Sequence, residues 1–233
     1  MNKFWKFKNL TNEVGDPTGR SLELNGTIAE ESWFDDDVTP KAFRDELYAG
    51  DGDVTVRINS PGGDCIAASQ IYTMLVEYPG KVTVMVDGLA ASAASVVAMA
   101  GDEVWMAPTA LMMIHNPLTG AWGDHNDMQK AIDVLEEVKE SIINAYQIKT
   151  GLQRAKLSRL MEDETWMNAK KAKELGFADY MMNGEKDAEA FAYSAVTTVR
   201  SITNKITAKA EKEHQKQGAK VSDLLMDLYD KKI

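Results

Sequence analysis

One cysteine, three histidines and six prolines in 233 residues leave little room for several kinds of chemistry. A single thiol forms no internal disulfide, and neither paired cysteines nor a His-Glu-x-x-His run is present to give metal-ligand spacing, so no metal or other cofactor is expected. Cationic surplus is missing as well. Lys and Arg total 26 against 36 Asp and Glu, a net charge of −10, which repels a polyanion and argues against nucleic acid as a partner. The start, MNKFWKFKNL, has charges where a secretory signal needs an apolar run. Long apolar stretches are also lacking: the least polar one, residues 88–101, is rich in Ala and Ser and too short to cross a bilayer as a helix. No membrane is expected, and the cytoplasm is the expected compartment.

At 44% hydrophobic, the chain has enough apolar material for one substantial core with an appendage. Residues 1–20 show no sustained period and read as an N-terminal arm. Residues 21–184 read as one organised domain. Residues 185–233 read as a polar tail in which Leu224, Leu225 and Leu228 give one short apolar face for a docking helix.

Within the domain, LELNGTI from Ser21 predicts a strand. Thr39, Pro40 and Gly50 mark the cap, first position and end of a helix. A β-branched run at 54–58 leads through the loop Asn59-Ser60-Pro61-Gly62-Gly63 into a helical pattern over 64–78. A second run, 82–86, leads through Gly88 into an Ala-rich helix opening near Ser92. Two successive strand-to-helix units imply parallel strands, whose carboxyl ends form a common rim where ligands bind. A further strand at 110–114 ends at His115 and brings a third polar group to that rim if it lies parallel in the same sheet. Apolar residues at Met128, Ile132, Leu135, Val138, Ile142 and Tyr146 predict a long amphipathic helix over 126–149. Its lead-in carries Leu118 and Trp122, a surface suited to self-association. A helix over 169–175, closed by Gly176, and a last strand over 177–182 complete the domain.

A serine hydroxyl needs a base to become a nucleophile, and the chain offers His115, His125 and His214. His125 lies in the polar GDHND run and His214 in the charged tail. His115 follows an apolar strand and precedes Asn116-Pro117, so it is the best-placed partner for Ser92. Acyl transfer also needs donors for an oxyanion. Backbone N–H groups at Gly62-Gly63 and, just after the nucleophile, at Ala93 suit that purpose.

The motifs INSPGGD at 58–64, GLAAS at 88–92, MIHNP at 113–117 and ETWMNAKKAKELGFAD at 164–179 resemble, in order and spacing, the Clp protease proteolytic-subunit family. Within it, the ETW segment and the tail look most like phage or prophage head-maturation proteases. The resemblance implies an α/β fold, a spiral of parallel-strand ββα units shared with crotonases and bearing a long handle helix. It implies Ser92 as nucleophile, His115 as base, and Gly63 and Ala93 as oxyanion N–H donors. The family's third member is an Asp two residues before an aromatic. Here Glu164 holds that place before Trp166, with Asp163 adjacent, and Glu164 is taken ahead of Asp163. The resemblance further implies a homo-oligomeric ring, possible stacking of rings, polypeptide substrates such as phage scaffold and capsid proteins, and a host cytoplasm or procapsid as location. No unfoldase-docking loop is recognisable near the N-terminus, which leaves an ATP-driven partner open.

Blander readings stand beside these. Ser92 can be a helix cap, Pro61-Gly62-Gly63 an ordinary turn, Glu164 a solvated charge, and Cys65 a buried small apolar residue in preference to a thiolate. At the level of function, a crotonase-like acyl-CoA enzyme would use the glycine loop but leave Ser92 and His115 idle. A non-enzymatic shell component would use neither.

Overall fold

The computed structural model describes residues 7–11, 17–28 and 40–182. Thr39 and the tail, where a docking helix was expected, lie outside the described residues. Among these residues there are eight strands and six helices in an α/β arrangement: β1 (Phe7–Thr11), β2 (Pro17–Asn25), α1 (Pro40–Leu47), β3 (Val54–Ser60), α2 (Cys65–Val76), β4 (Val82–Ala91), α3 (Ala93–Ala98), β5 (Glu103–Met106), β6 (Leu111–Ile114), α4 (His125–Thr150), α5 (Arg154–Glu162), β7 (Thr165–Asn168), α6 (Ala169–Glu174) and β8 (Tyr180–Met181). No helix among them is long and apolar enough to cross a membrane.

The strands form one sheet in the order β1-β2-β3-β4-β5-β8, with β6 on β4 and β7 on β6. The pairs β2·β3, β3·β4, β4·β5, β4·β6 and β5·β8 are parallel. The alternation expected of 54–58 is seen directly: Val54, Val56, Ile58 and Ser60 are buried and the residues between them less so. Part of the lead-in, expected to be irregular, carries β1, which pairs antiparallel with β2 at the sheet edge.

The feature that positions the site is a bend in β4. Ile58 pairs with Val86, but two residues further along β3 Ser60 pairs with Ala90, so β4 contains two more residues than β3 over this interval. The surplus falls at Asp87 to Leu89, and Arg57 on β3 grips Asp87 there through two hydrogen bonds of 2.8 and 2.9 Å. Before the bend β4 pairs with β5; after it, Leu89, Ala90 and Ala91 pair with Leu111, Met112 and Met113 of β6. One strand thus serves two neighbours, the turn from one sheet segment to the next that a spiral fold requires.

Helix α2 is capped by Asp64, whose carboxylate accepts from the Ala67 N–H at 2.7 Å. Helix α4 opens with a capping box between Asp124 and Asp127. Only its second half is buried, at Ile142, Ile143, Ala145 and Tyr146, where Tyr146 meets Phe177 edge to face. Its first half leaves Ile132 and Val134 exposed, and the lead-in leaves Trp122 95% exposed. Sequence periodicity alone assigned no element to β5, α5 or β7. The first and last are four-residue strands that alternate buried and less buried side chains, too short for a periodic signal. The last strand is shorter than 177–182 because the N–H groups of Phe177 and Ala178 close α6 by donating to Ala172.

Candidate active site

Ser92 stands between β4 and α3 with φ 53° and ψ −127°, a backbone geometry rarely adopted by a residue with a side chain. Holding it there costs about 1–3 kcal/mol, which the surrounding hydrogen bonds offset. The Ser92 N–H donates to the Met113 carbonyl of β6 at 2.9 Å, and the Ser92 carbonyl accepts from the Ser95 N–H at 2.9 Å. Because Ala91 pairs with Met113 in parallel register, the residue two beyond Met113 runs alongside the serine. That residue is His115, and its Nε2 lies 2.7 Å from Ser92 Oγ.

The glycine loop packs against the same turn. A Cβ on Gly62 would lie 2.8 Å from Ser92 Cβ and 2.9 Å from the Ala93 nitrogen, so only glycine allows this approach. The loop is held from behind by two groups that the sequence alone did not single out. Ile28 donates its N–H to the Gly62 carbonyl at 2.9 Å and accepts from the Asp64 N–H at 2.8 Å, bracketing Gly63. Ser60 is buried; its hydroxyl donates to the Gly26 carbonyl at 2.6 Å and accepts from the Gly62 N–H at 3.1 Å. A serine two residues before a glycine is the signal that could have found it. With Ile28 bonded to the residues on either side, the Gly63 N–H has no acceptor among the described residues. The Ala93 N–H, at the first position of α3, has none either.

Glu164 immediately precedes β7 and His115 immediately follows β6. The antiparallel register of these strands pairs Met113 with Trp166 and ends at Ile114 with Thr165, so both residues flank its last pair. The carboxylate itself is exposed and accepts from the Trp166 indole N–H at 3.1 Å. The His115 ring makes its one hydrogen bond among the described residues to Ser92. Glu164 has φ 45°, a second uncommon backbone geometry within the site. Asp163 closes α5 and faces solvent.

Beside the loop, α2 and α4 flank an open, largely apolar cleft of about 360 Å³, lined by Cys65, Ile66, Val134, Val138 and Ile142 with Asp133 and Glu137. Burial first, and then the neighbouring Asp64 charge, push the Cys65 thiol above its ordinary pKa, so it lines the cleft as a neutral apolar group.

Against known proteins, the family model described as Clp protease matches residues 27–185, well over half of the chain. The chain belongs to the Clp protease family. It is 30% identical over 137 residues to the ATP-dependent Clp protease proteolytic subunit 2 of Thermobifida fusca, covering 58% of this chain and 68% of that protein. Identity is 29% over 154 residues to the ATP-dependent Clp protease proteolytic subunit of Bacteroides fragilis, covering 63% and 74%. The ATP-dependent Clp protease proteolytic subunit 1 of Chlamydia abortus is 29% identical over 179 residues, covering 72% and 93%. As a Clp protease, the chain has the expected α/β fold with its parallel-strand sheet, and its general activity is that of a serine peptidase.

Proposed function

We propose that this Clp protease is an endopeptidase that cleaves through an acyl-enzyme on Ser92, with His115 as general base. The 2.7 Å approach of Ser92 Oγ to His115 Nε2, beside two backbone N–H groups with no acceptor among the described residues, carries the reading. Ser92 Oγ attacks the scissile carbonyl carbon while its proton passes to His115 Nε2. The carbonyl electron pair moves onto oxygen, which the Gly63 and Ala93 N–H groups receive. Collapse breaks the C–N bond, and His115 returns the proton to the leaving amine. Water then attacks the acyl-serine carbonyl by the same route, releasing the new carboxyl terminus and restoring the serine hydroxyl. Glu164 is the acid behind His115: its place just before β7, beside the strand end that carries the histidine, supports that role once the carboxylate turns from Trp166 toward Nδ1.

Self-association fits this reading. The projecting half of α4 and its lead-in carry Trp122, Ile132 and Val134 at 95, 48 and 60% exposure, apolar groups suited to contacts between copies in a ring. The finer substrate reading, phage scaffold and capsid proteins, rests on the resemblance of the ETW segment and the tail to head-maturation proteases. Co-expression with such proteins, read by intact mass, tests it: fragments with wild type and none with Ser92→Ala are expected. Fluorophosphonate labelling followed by peptide mapping tests the chemistry. A single adduct on Ser92, absent from Ser92→Ala with the fold retained, is expected; labelling that persists in that variant sinks the assignment.

A further inference from the structure

Helix α3 carries a second serine, Ser95, which is fully buried and hydrogen-bonded at both ends. Its Oγ–H donates to the Ser92 carbonyl at 2.6 Å, and its Oγ lies 2.7 Å from the hydroxyl of Tyr146, which is 1% exposed. A serine hydroxyl has one proton. Since that proton is committed to the Ser92 carbonyl, Tyr146 must be the donor to Ser95. The result is a directed chain, Tyr146 O–H to Ser95 Oγ–H to the Ser92 carbonyl. It runs from the packed half of α4 to the residue that bears the nucleophile.

The Ser92 carbonyl and the Ala93 N–H are the two ends of one planar peptide unit. Fixing the direction of the carbonyl therefore fixes the direction of the N–H, which points the opposite way. We propose that Ser95 and Tyr146 are positioning residues whose hydroxyl chain aims the Ala93 N–H at the oxyanion formed on Ser92 attack. This rests on the reading of Ser92 as nucleophile. Two bonds, from the Ser95 N–H at 2.9 Å and the Ser95 hydroxyl at 2.6 Å, converge on the one carbonyl oxygen, so the peptide plane has little freedom to rock. Burial raises the Tyr146 phenol above its ordinary pKa, which keeps it protonated as the terminal donor. In the sequence Tyr146 belongs to the apolar stripe of α4 and Ser95 to an Ala-rich run, and neither shows its hydroxyl's role because neither is local to the other.

An oxyanion donor acts on the transition state and not on ground-state binding, so the effect belongs in the chemical rate constant. The test is fluorophosphonate labelling of the full chain, resolving the maximal inactivation rate from the reagent's binding constant. Melting temperature is read alongside for Ser95→Ala, Tyr146→Phe, the double variant and Ser92→Ala. Losing a donor outright costs about 10²–10³-fold, and Ser95→Ala keeps one of the two bonds to the carbonyl. Its maximal rate should therefore fall about tenfold with binding unchanged. Tyr146→Phe leaves Ser95 its own proton to donate and should lose less. The double variant should label no more slowly than Ser95→Ala yet melt higher, because it no longer buries an unpaired phenol hydroxyl. Wild-type labelling rates in a Ser95→Ala protein that merely melts lower would overturn the proposal and leave the nucleophile assignment standing. Labelling of Ser92→Ala would overturn both. If Ser95→Ala does not fold, the double variant decides, and a wild-type rate there refutes the idea.

Discussion

Gly62→Ala is the most direct probe of how the loop and the nucleophile fit together. The new methyl would lie 2.6 Å from the Ala91 oxygen, 2.8 Å from Ser92 Cβ and 2.9 Å from the Ala93 nitrogen. Carbon contacts are optimal at about 3.5–4.0 Å, so the loop or the serine turn must retreat by roughly 1 Å. Two of the three atoms are backbone and the third is the Cβ of Ser92, fixed to its own backbone, so no flexible side-chain end can swing aside. A displacement of that size at a reacting group costs about 100-fold in rate. Stability falls by about 1–3 kcal/mol from overpacking, in addition to the strain of the positive φ of 93°. Gly52→Ala separates the two causes. Its φ is 88°, but a Cβ there meets nothing within 4 Å. It should lose about 1–2 kcal/mol from φ strain alone and label with fluorophosphonate at the wild-type rate. Thermal melts and labelling rates on both variants decide the matter. A Gly62→Ala protein that labels as fast as Gly52→Ala would refute the close-packed loop as a requirement of the site.

Glu164→Gln should slow turnover at least about tenfold, since a positioned acid–base partner contributes that much or more, while Trp166→Phe, which frees the Glu164 carboxylate, should not slow it. Wild-type turnover in Glu164→Gln with a slow Asp163→Asn would move the acid to Asp163. The buried Tyr146 phenol has its pKa raised in the folded state, so it stabilises the fold fully below its unfolded value of about 10 and progressively loses that contribution above it. Melting temperature followed across alkaline pH should fall more steeply for wild type than for Tyr146→Phe, and parallel curves would count against the buried phenol. Replacing Trp122, Ile132 and Val134 together with Ser should shift the assembly to smaller species in sedimentation velocity without unfolding the domain, and an unchanged sedimentation coefficient would place the contact elsewhere.

Much of this protein follows from its sequence because the informative signals are local. Alternation at 54–58, glycines at 62 and 63, the Asp64 cap and the stripe through Ile142 and Tyr146 each arise within a few residues, and their physics is the same before and after folding. The meeting of Ser92 and His115 was legible for the same reason: each follows a strand, and parallel strands end on one rim. What only the tertiary structure decided depends on partners distant in the chain. The bend at Asp87 appears only when β4 exchanges β5 for β6, and Glu164 comes to the strand end that carries His115 only through the β6–β7 register. The two buried hydroxyls of Ser95 and Tyr146, 51 residues apart, become a directed chain only when α4 packs over α3. Sequence patterns report how apolar a position is, whereas a hydrogen bond between buried side chains depends on where the other partner lies.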